Sequence, residues 1–140
     1  MKIELSDNIS LEEYFYMRKS AGWYLPEKNQ AQKSLEKSLC LVAARDNGKI
    51  VGMARLVGDG AFYTLLVDVI VLPPYQGNHI GRMMVERVLE FAKGMRKKNQ
   101  IISVQLSSAK GKEGFYEQFG FVKRPNEALG SGMGIIFRDE

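Results

Sequence analysis

The stretch VLPPYQGNHIGRMMVERVLEF, residues 71–91, decides how this chain is read. An apolar run stops at Pro73 and Pro74, passes through a glycine-bearing turn, and becomes a segment whose apolar residues recur at helical spacing. Strand, glycine turn and helix start together make an anion site. The first N–H groups of a helix have no intrahelical acceptor, and its dipole adds partial positive charge there. Gln76, Gly77, Asn78, His79, Ile80 and Gly81 occupy the turn, and Arg82 falls in the first helical turn. A cation at that end opposes the dipole unless an anion offsets it. A tight strand-to-helix turn explains the same residues, so both readings stand at this point. The spacing fits neither the dinucleotide GxGxxG nor the GxxxxGK[ST] loop.

Upstream, residues 39–59 (LCLVAARDNGKIVGMARLVGD) form a hairpin pattern, two apolar runs around Asn47-Gly48, the pair that a tight primed turn requires. Asp59-Gly60 marks the next turn, and residues 61–72 (AFYTLLVDVIVL) predict a third consecutive strand. Residues 2–5 alternate as a first strand. Ser10 and Glu13 form a capping box for a first helix that Gly22 closes, and Pro26 opens a second helix running to about residue 37. The helix of the opening stretch runs from Ile80 to about residue 97, with Ile80, Met84, Val88, Phe91, Ala92 and Met95 on one face. Residues 100–106 predict a strand, 111–120 a short helix capped by Gly120, and FVKR (121–124) with MGIIF (133–137) a closing antiparallel pair. The order is β-α-α-β-β-β-α-β-α-β-β. It implies an α+β chain with a mixed, mostly antiparallel sheet and helices on both faces, read as a single domain over residues 1–140.

At 45% hydrophobic and 26% charged, the 140 residues have the profile of a globular protein with a real core. The longest apolar run is about a dozen residues and contains Asp68, too short for a membrane span. The first ten residues lack a signal peptide's apolar core, so a cytoplasmic setting is expected. One cysteine, Cys40, and one histidine exclude a disulfide framework and argue against a zinc site, so no metal is expected. A net charge of +4 suits an anionic ligand without requiring one. The lysines are scattered apart from Arg96, Lys97 and Lys98, and no nucleic-acid motif is present.

The opening stretch resembles the GNAT superfamily of N-acetyltransferases. Their signature is Q/R-x-x-G-x-G/A after a strand ending V-x-P. Val71-Leu72-Pro73 matches the strand end, Gln76 the first motif position and Gly81 the last; GFYEQFGF (114–121) resembles the family's second marker, FYxxxGF. The resemblance covers nearly the whole chain. It departs at His79, which stands where the family carries glycine, a residue that allows left-handed backbone and close approach to a pyrophosphate.

The resemblance implies acetyl-coenzyme A (acetyl-CoA) as co-substrate. Its pantetheine arm would run along Ile70, Val71 and Leu72, and its pyrophosphate would meet Gln76, Gly77, Asn78, His79, Ile80, Gly81 and Arg82. Acetyl transfer to an amine needs a neutral amine, a polarised thioester oxygen and a protonated or stabilised thiolate. The resemblance gives Tyr116 the thiolate; packing between Phe115 and Phe119 is the other account of this tyrosine. Asp68 interrupts the most apolar strand and is the candidate base, or else a structural carboxylate, since an unpartnered buried charge is expensive. A backbone N–H near Ile70 or Val71 is the expected polarising donor. Cys40 has no histidine partner and is read as a packed thiol.

Tyr14, Tyr16, Trp23 and Tyr24 are candidates to enclose an amine or stack on a cation, or to be core. The acceptor expected is the primary amine of a small molecule, attacked directly without an acetyl-enzyme. Neither nucleic acid nor membrane is an expected partner, and a homodimer is left open. A non-catalytic acyl-CoA sensor or partner-binding module on the same fold is the alternative.

Overall fold

Short-range rules build the first half of the chain in this computed structural model, which describes residues 1–139. Ser10 caps α1 (Leu11–Ser20): its side chain accepts the Glu13 N–H, and the Glu13 carboxylate accepts the Ser10 N–H, each at 3.0 Å. Gly22, at φ 75°, ends that helix in a left-handed residue. The second helix, α2 (Lys28–Glu36), is capped by Glu27 rather than opened at Pro26. Asn47 (φ 49°) and Gly48 (φ 86°) join β2 (Cys40–Asp46) to β3 (Lys49–Gly58), both left-handed as a primed turn demands.

The chain resolves into two compact units, Met1–Leu106 and Ser107–Glu140. The first holds a five-stranded sheet in the order β1-β2-β3-β4-β5, with β1 (Ile3–Ser6), β4 (Tyr63–Val71) and β5 (Ser103–Gln105) completing the set. The first four strands pair antiparallel; β5 joins β4 in parallel after the crossover through α3 (Ile80–Met95). This is the mixed sheet that the sequence order implies. Gly52 and Arg55, three apart on β3, point to opposite faces. A Cβ on Gly52 would stand 3.1 Å from Met84 of α3, whereas Arg55 reaches Ser34 and Ser38 at the end of α2. So α3 covers one face and α1 with α2 the other. Met53, Leu56, Met84, Val85 and Val88 are buried in this core, as are Tyr14 and Met17 of α1.

The second unit contains α4 (Glu113–Glu117), where Phe115, Tyr116, Phe119 and Phe121 stack edge to face at centroid distances of 5.0–6.0 Å. Here the expected closing strands fail to appear. Residues 121–124 and 133–137 form no strand among the described residues. The turn of the expected hairpin does form: Asn126 Oδ1 accepts the N–H groups of Ala128 and Leu129, and Arg124 Nε donates to the Gly130 carbonyl. A turn needs only local side-chain bonds, but a strand needs a paired edge. Met133, Ile135 and Phe137 alternate in sequence as a strand would, yet they stand exposed.

Candidate active site

Between β4 and α3 the chain builds a backbone-lined edge. β5 pairs with β4 only from Tyr63 to Leu65, so the later half of β4 carries no strand on that side among the described residues. The Leu72 N–H donates to the Val51 carbonyl of β3. Peptide groups alternate along a strand, so Ile70 and Leu72 turn toward β3 and Val71 turns to the open edge. Gln76 Nε2 donates to the Val71 carbonyl at 3.0 Å. The first motif residue therefore ties the loop back onto the strand, and the Val71 N–H is the polar group left facing that edge. Of the two expected polarising donors, the Val71 N–H points to that edge and the Ile70 N–H points to β3.

The loop that follows is held from within. A 3-10 turn, Pro73–Tyr75, leads into it, and the Tyr75 hydroxyl donates to Asp46 at 2.8 Å. Asn78 Nδ2 donates to the carbonyls of Tyr75 and Gln76. Gly77 (φ 81°) and His79 (φ 62°) are both left-handed. His79 thus adopts the conformation for which glycine is the usual choice; it is the N-cap of α3 and makes no side-chain cap bond. Its carbonyl accepts the Met83 N–H, so the helix begins regularly and the N–H groups of Ile80 and Gly81 lie in its opening turn, beyond the reach of intrahelical acceptors. Arg82 pairs with Glu86 one turn on, at 2.9 Å. That carboxylate offsets the Arg82 charge within the helix, so an anionic ligand is not needed to explain Arg82.

Asp68 lies three residues before Val71, and its surroundings change its reading. β3 and β4 pair Met53 with Ile70 and Arg55 with Val67, so Asp68 and Val69 together oppose Ala54: a β-bulge, with Asp68 at φ 54°. The carboxylate is buried and receives three donors. Tyr14 Oη donates at 2.8 Å, Arg18 Nη1 at 2.7 Å and Arg55 Nε at 2.7 Å. Of the two readings of Asp68, candidate base or structural carboxylate, this geometry favours the second: both oxygens are occupied, and a substrate proton would have to displace a guanidinium or a phenol. Burial, and then the carboxylate beside it, hold the Tyr14 phenol above its ordinary pKa, so Tyr14 stays a donor. Sequence reasoning missed Tyr14, Arg18 and Arg55 as Asp68's partners. Arg55 carried a legible signal, since it interrupts apolar β3 as Asp68 interrupts apolar β4.

The aromatic candidates fall into two groups. The Arg18 guanidinium lies 5.8, 5.4 and 5.4 Å from the ring centroids of Tyr14, Trp23 and Tyr24. The cation these rings stack on is therefore supplied by the chain itself. Tyr16 stands apart, half exposed. In the second unit, burial raises the Tyr116 pKa and keeps its phenol protonated, as a proton donor must be. Cys40, at the start of β2, has its thiol pushed up by burial, which disfavours the nucleophilic thiolate.

Residues 36–123 match the family model described as the acetyltransferase (GNAT) domain. The chain belongs to the GNAT acetyltransferases. It is 27% identical over 140 residues to the uncharacterized N-acetyltransferase ycf52 of Pyropia yezoensis, covering 92% of this chain and 78% of that protein. Over 88 residues, 63% of this chain and 42% of that protein, it is 33% identical to the chloroplastic serotonin N-acetyltransferase 2 of rice, Oryza sativa subsp. japonica. A GNAT-family acetyltransferase structure from Streptococcus pneumoniae superposes with a TM-score of 0.79 at 29% identity, covering 99% of this chain and 98% of that one. N-acetyltransferase is thus the enzyme class. Because one relative bears a chloroplast name, the family does not fix a compartment. Among the described residues no helix is long and apolar enough to cross a membrane.

Proposed function

We propose that this GNAT protein moves an acetyl group from acetyl-CoA to the primary amine of a small molecule by direct attack, with residues 1–140 acting as one catalytic domain in the cytoplasm. The observation that carries the reading is the outward-facing peptide of Val71, followed at once by the amide-rich start of α3. Those residues fit an extended thioester that ends in a pyrophosphate. Ile70, Val71 and Leu72 offer a strand edge for the amide-bearing arm. Gly77, Asn78, His79, Ile80 and Gly81 offer backbone donors and a helix N-terminus for the phosphates; Gln76 holds the loop, and Arg82 follows in the first helical turn with its charge shared with Glu86. Nothing in this set calls for a metal.

Acetyl-CoA, when bound, supplies an activated acetyl group. The Val71 N–H is placed to donate to the thioester oxygen as negative charge grows there. Tyr116 holds a proton for the departing sulfur, consistent with a phenol kept neutral by burial. The amine nitrogen forms the new amide bond as the carbon–sulfur bond breaks, and the nitrogen's surplus proton leaves to water. This reading assigns Asp68 no proton transfer, because its oxygens are engaged.

The test is calorimetric titration with acetyl-CoA, then a free-thiol assay against an amine panel that includes arylalkylamines, the class to which the rice relative's named substrate belongs. Saturable binding with thiol release on at least one small amine is expected. Binding with no turnover on any amine would instead make the chain an acyl-CoA-binding module.

A further inference from the structure

Tyr75 bonds in three directions at the root of the glycine-bearing loop. Its N–H donates to the Leu72 carbonyl at 2.8 Å, and its carbonyl accepts from Asn78 Nδ2 at 3.1 Å. Its hydroxyl leaves the loop and reaches Asp46, twenty-nine residues away in sequence, at 2.8 Å. Asp46 is the last residue of β2, paired with Ile3 of β1 on one side and with Lys49 of β3 on the other. Its two oxygens serve different donors: Oδ1 accepts the Lys2 N–H at 2.9 Å, and Oδ2 accepts the Tyr75 hydroxyl. One carboxylate therefore joins the loop after β4 to the corner where β1, β2 and β3 meet. Both partners suit the bond. The Lys2 N–H, and then the Tyr75 hydroxyl, hold Asp46 below the usual carboxylate range, so it is an ionised acceptor. The same bond holds the Tyr75 phenol above its ordinary pKa, so it remains a donor.

We propose that Asp46 and Tyr75 are positioning residues for the acetyl-CoA pyrophosphate: their bond fixes the 76–81 loop against the sheet before any ligand arrives. Gln76 bonds to the Val71 carbonyl, and Asn78 bonds to the carbonyls of Tyr75 and Gln76. These contacts shape the loop and root it on β4. The Tyr75 hydroxyl adds an anchor on a different part of the sheet, which sets where the shaped loop stands. The loop has need of such an anchor. Gly77 and His79 are left-handed, and a strained backbone persists only where its surroundings hold it. Its donors are main-chain N–H groups, which can converge on phosphate oxygens only if the backbone itself is placed. A loop already ordered loses less freedom on binding, so the tether acts on affinity. Tyrosine suits the task, because a rigid ring with two torsions carries its hydroxyl to a fixed point at low entropic cost.

The identity of the ligand rests on the acetyltransferase reading above; the tether itself does not. The experiment compares wild type with Tyr75→Phe, Asp46→Asn and the double variant. Tyr75→Phe removes one hydroxyl and keeps the ring. Asp46→Asn leaves a single oxygen acceptor for two donors. The measurements are backbone amide order parameters from NMR relaxation without ligand, acetyl-CoA Kd by calorimetry, and Tm.

In Tyr75→Phe the amides of Gly77, Asn78 and His79 should fall from the rigid order parameter of about 0.85 toward about 0.6, while those of β2 and β3 keep theirs. Acetyl-CoA Kd should rise about fivefold. Asp46→Asn should give the same pattern, and the double variant should bind about as well as the weaker single one, because both substitutions remove the same bond. Unchanged loop order in Tyr75→Phe would overturn the tether. A lower Tm with Kd held within about twofold would be the mark of stability alone, and would overturn the positioning role. Losses of affinity that multiply in the double variant would show that the two residues act separately, and would overturn the pair. Should Asp46→Asn fail to fold, Tyr75→Phe still decides the tether and its effect on Kd. If wild type binds no acetyl-CoA, the functional reading has failed, and the order parameters still decide the tether.

Discussion

Asp68 and His79 are both left-handed residues without being glycine, eleven positions apart on either side of the same strand-to-helix junction, and the chain treats them in opposite ways. Asp68 is buried, and three donors saturate its carboxylate; His79 is exposed and its side chain caps nothing. An unfavourable backbone conformation costs about 1–2 kcal/mol in either place. At Asp68 the side chain is the reason for the residue, and at His79 the backbone alone is. An unusual dihedral therefore does not identify a catalytic group: one of these residues organises the fold, and the other shapes a loop whose donors are main-chain.

Substitutions can break or sharpen that contrast, beginning with the largest expected effect. Asp68→Ala should destabilise the fold by about 3–5 kcal/mol, since it leaves two buried guanidiniums without their carboxylate. Urea unfolding measures this, and a loss below about 1 kcal/mol would mean that the cluster is not cooperative. Tyr116→Phe should lower kcat about 100-fold with acetyl-CoA affinity little changed, because only the proton is removed; undiminished turnover would take Tyr116 out of the chemistry. Gly81→Glu should weaken acetyl-CoA binding roughly tenfold, as a carboxylate opposes phosphate there, while the dipole itself welcomes the new charge and the Tm holds. Equal affinity would remove the pyrophosphate from this loop.

The smaller effects are equally directional. Glu13 has its pKa lowered from 4.5 to about 2, chiefly by the Arg45 guanidinium that grips it at 2.6 and 3.0 Å. A depressed folded-state pKa gives stability that is present above about pH 4.5 and lost as pH falls toward 2. Glu13→Gln should cost on the order of 1–2 kcal/mol at pH 7 after solvent screening, and the difference from wild type should shrink between pH 4.5 and pH 2. His79→Gly should be the mildest change. Relief of the left-handed strain, about 1 kcal/mol, is nearly cancelled by glycine's entropy in the unfolded chain. Tm should move little and acetyl-CoA Kd should stay within about twofold; a large loss of affinity would show that the imidazole itself touches the ligand.

Features encoded within a few residues could be read from the sequence directly. Ser10 and Glu13 announce their helix, Asn47-Gly48 its hairpin, and the glycine-bearing loop its helix start, because each is a bond or dihedral among near neighbours. The Tyr14–Asp68–Arg18 contacts could not be read in that way: Arg18 and Asp68 are fifty residues apart, and nothing in spacing alone says which buried arginine meets which carboxylate. Arg55 was closer to legible, since the β3–β4 pairing places it within one register step of Asp68. The two missing strands fail for a different reason. The alternation of Met133, Ile135 and Phe137 specifies a face, but no residue pattern specifies the edge that a strand must pair with.

The buried cluster holds two guanidiniums against one carboxylate, an excess of one positive charge in a place that water barely reaches. Three residues farther along β4 is the Val71 peptide, to which the proposed function would bring the amine. Like charges disfavour one another, so an ammonium nearing that peptide surrenders its proton more readily than it would in open water. Architecture could in this way lower the need for a base: under the proposed function, the residues that hold the strand in shape would also tilt an incoming nitrogen toward its uncharged form.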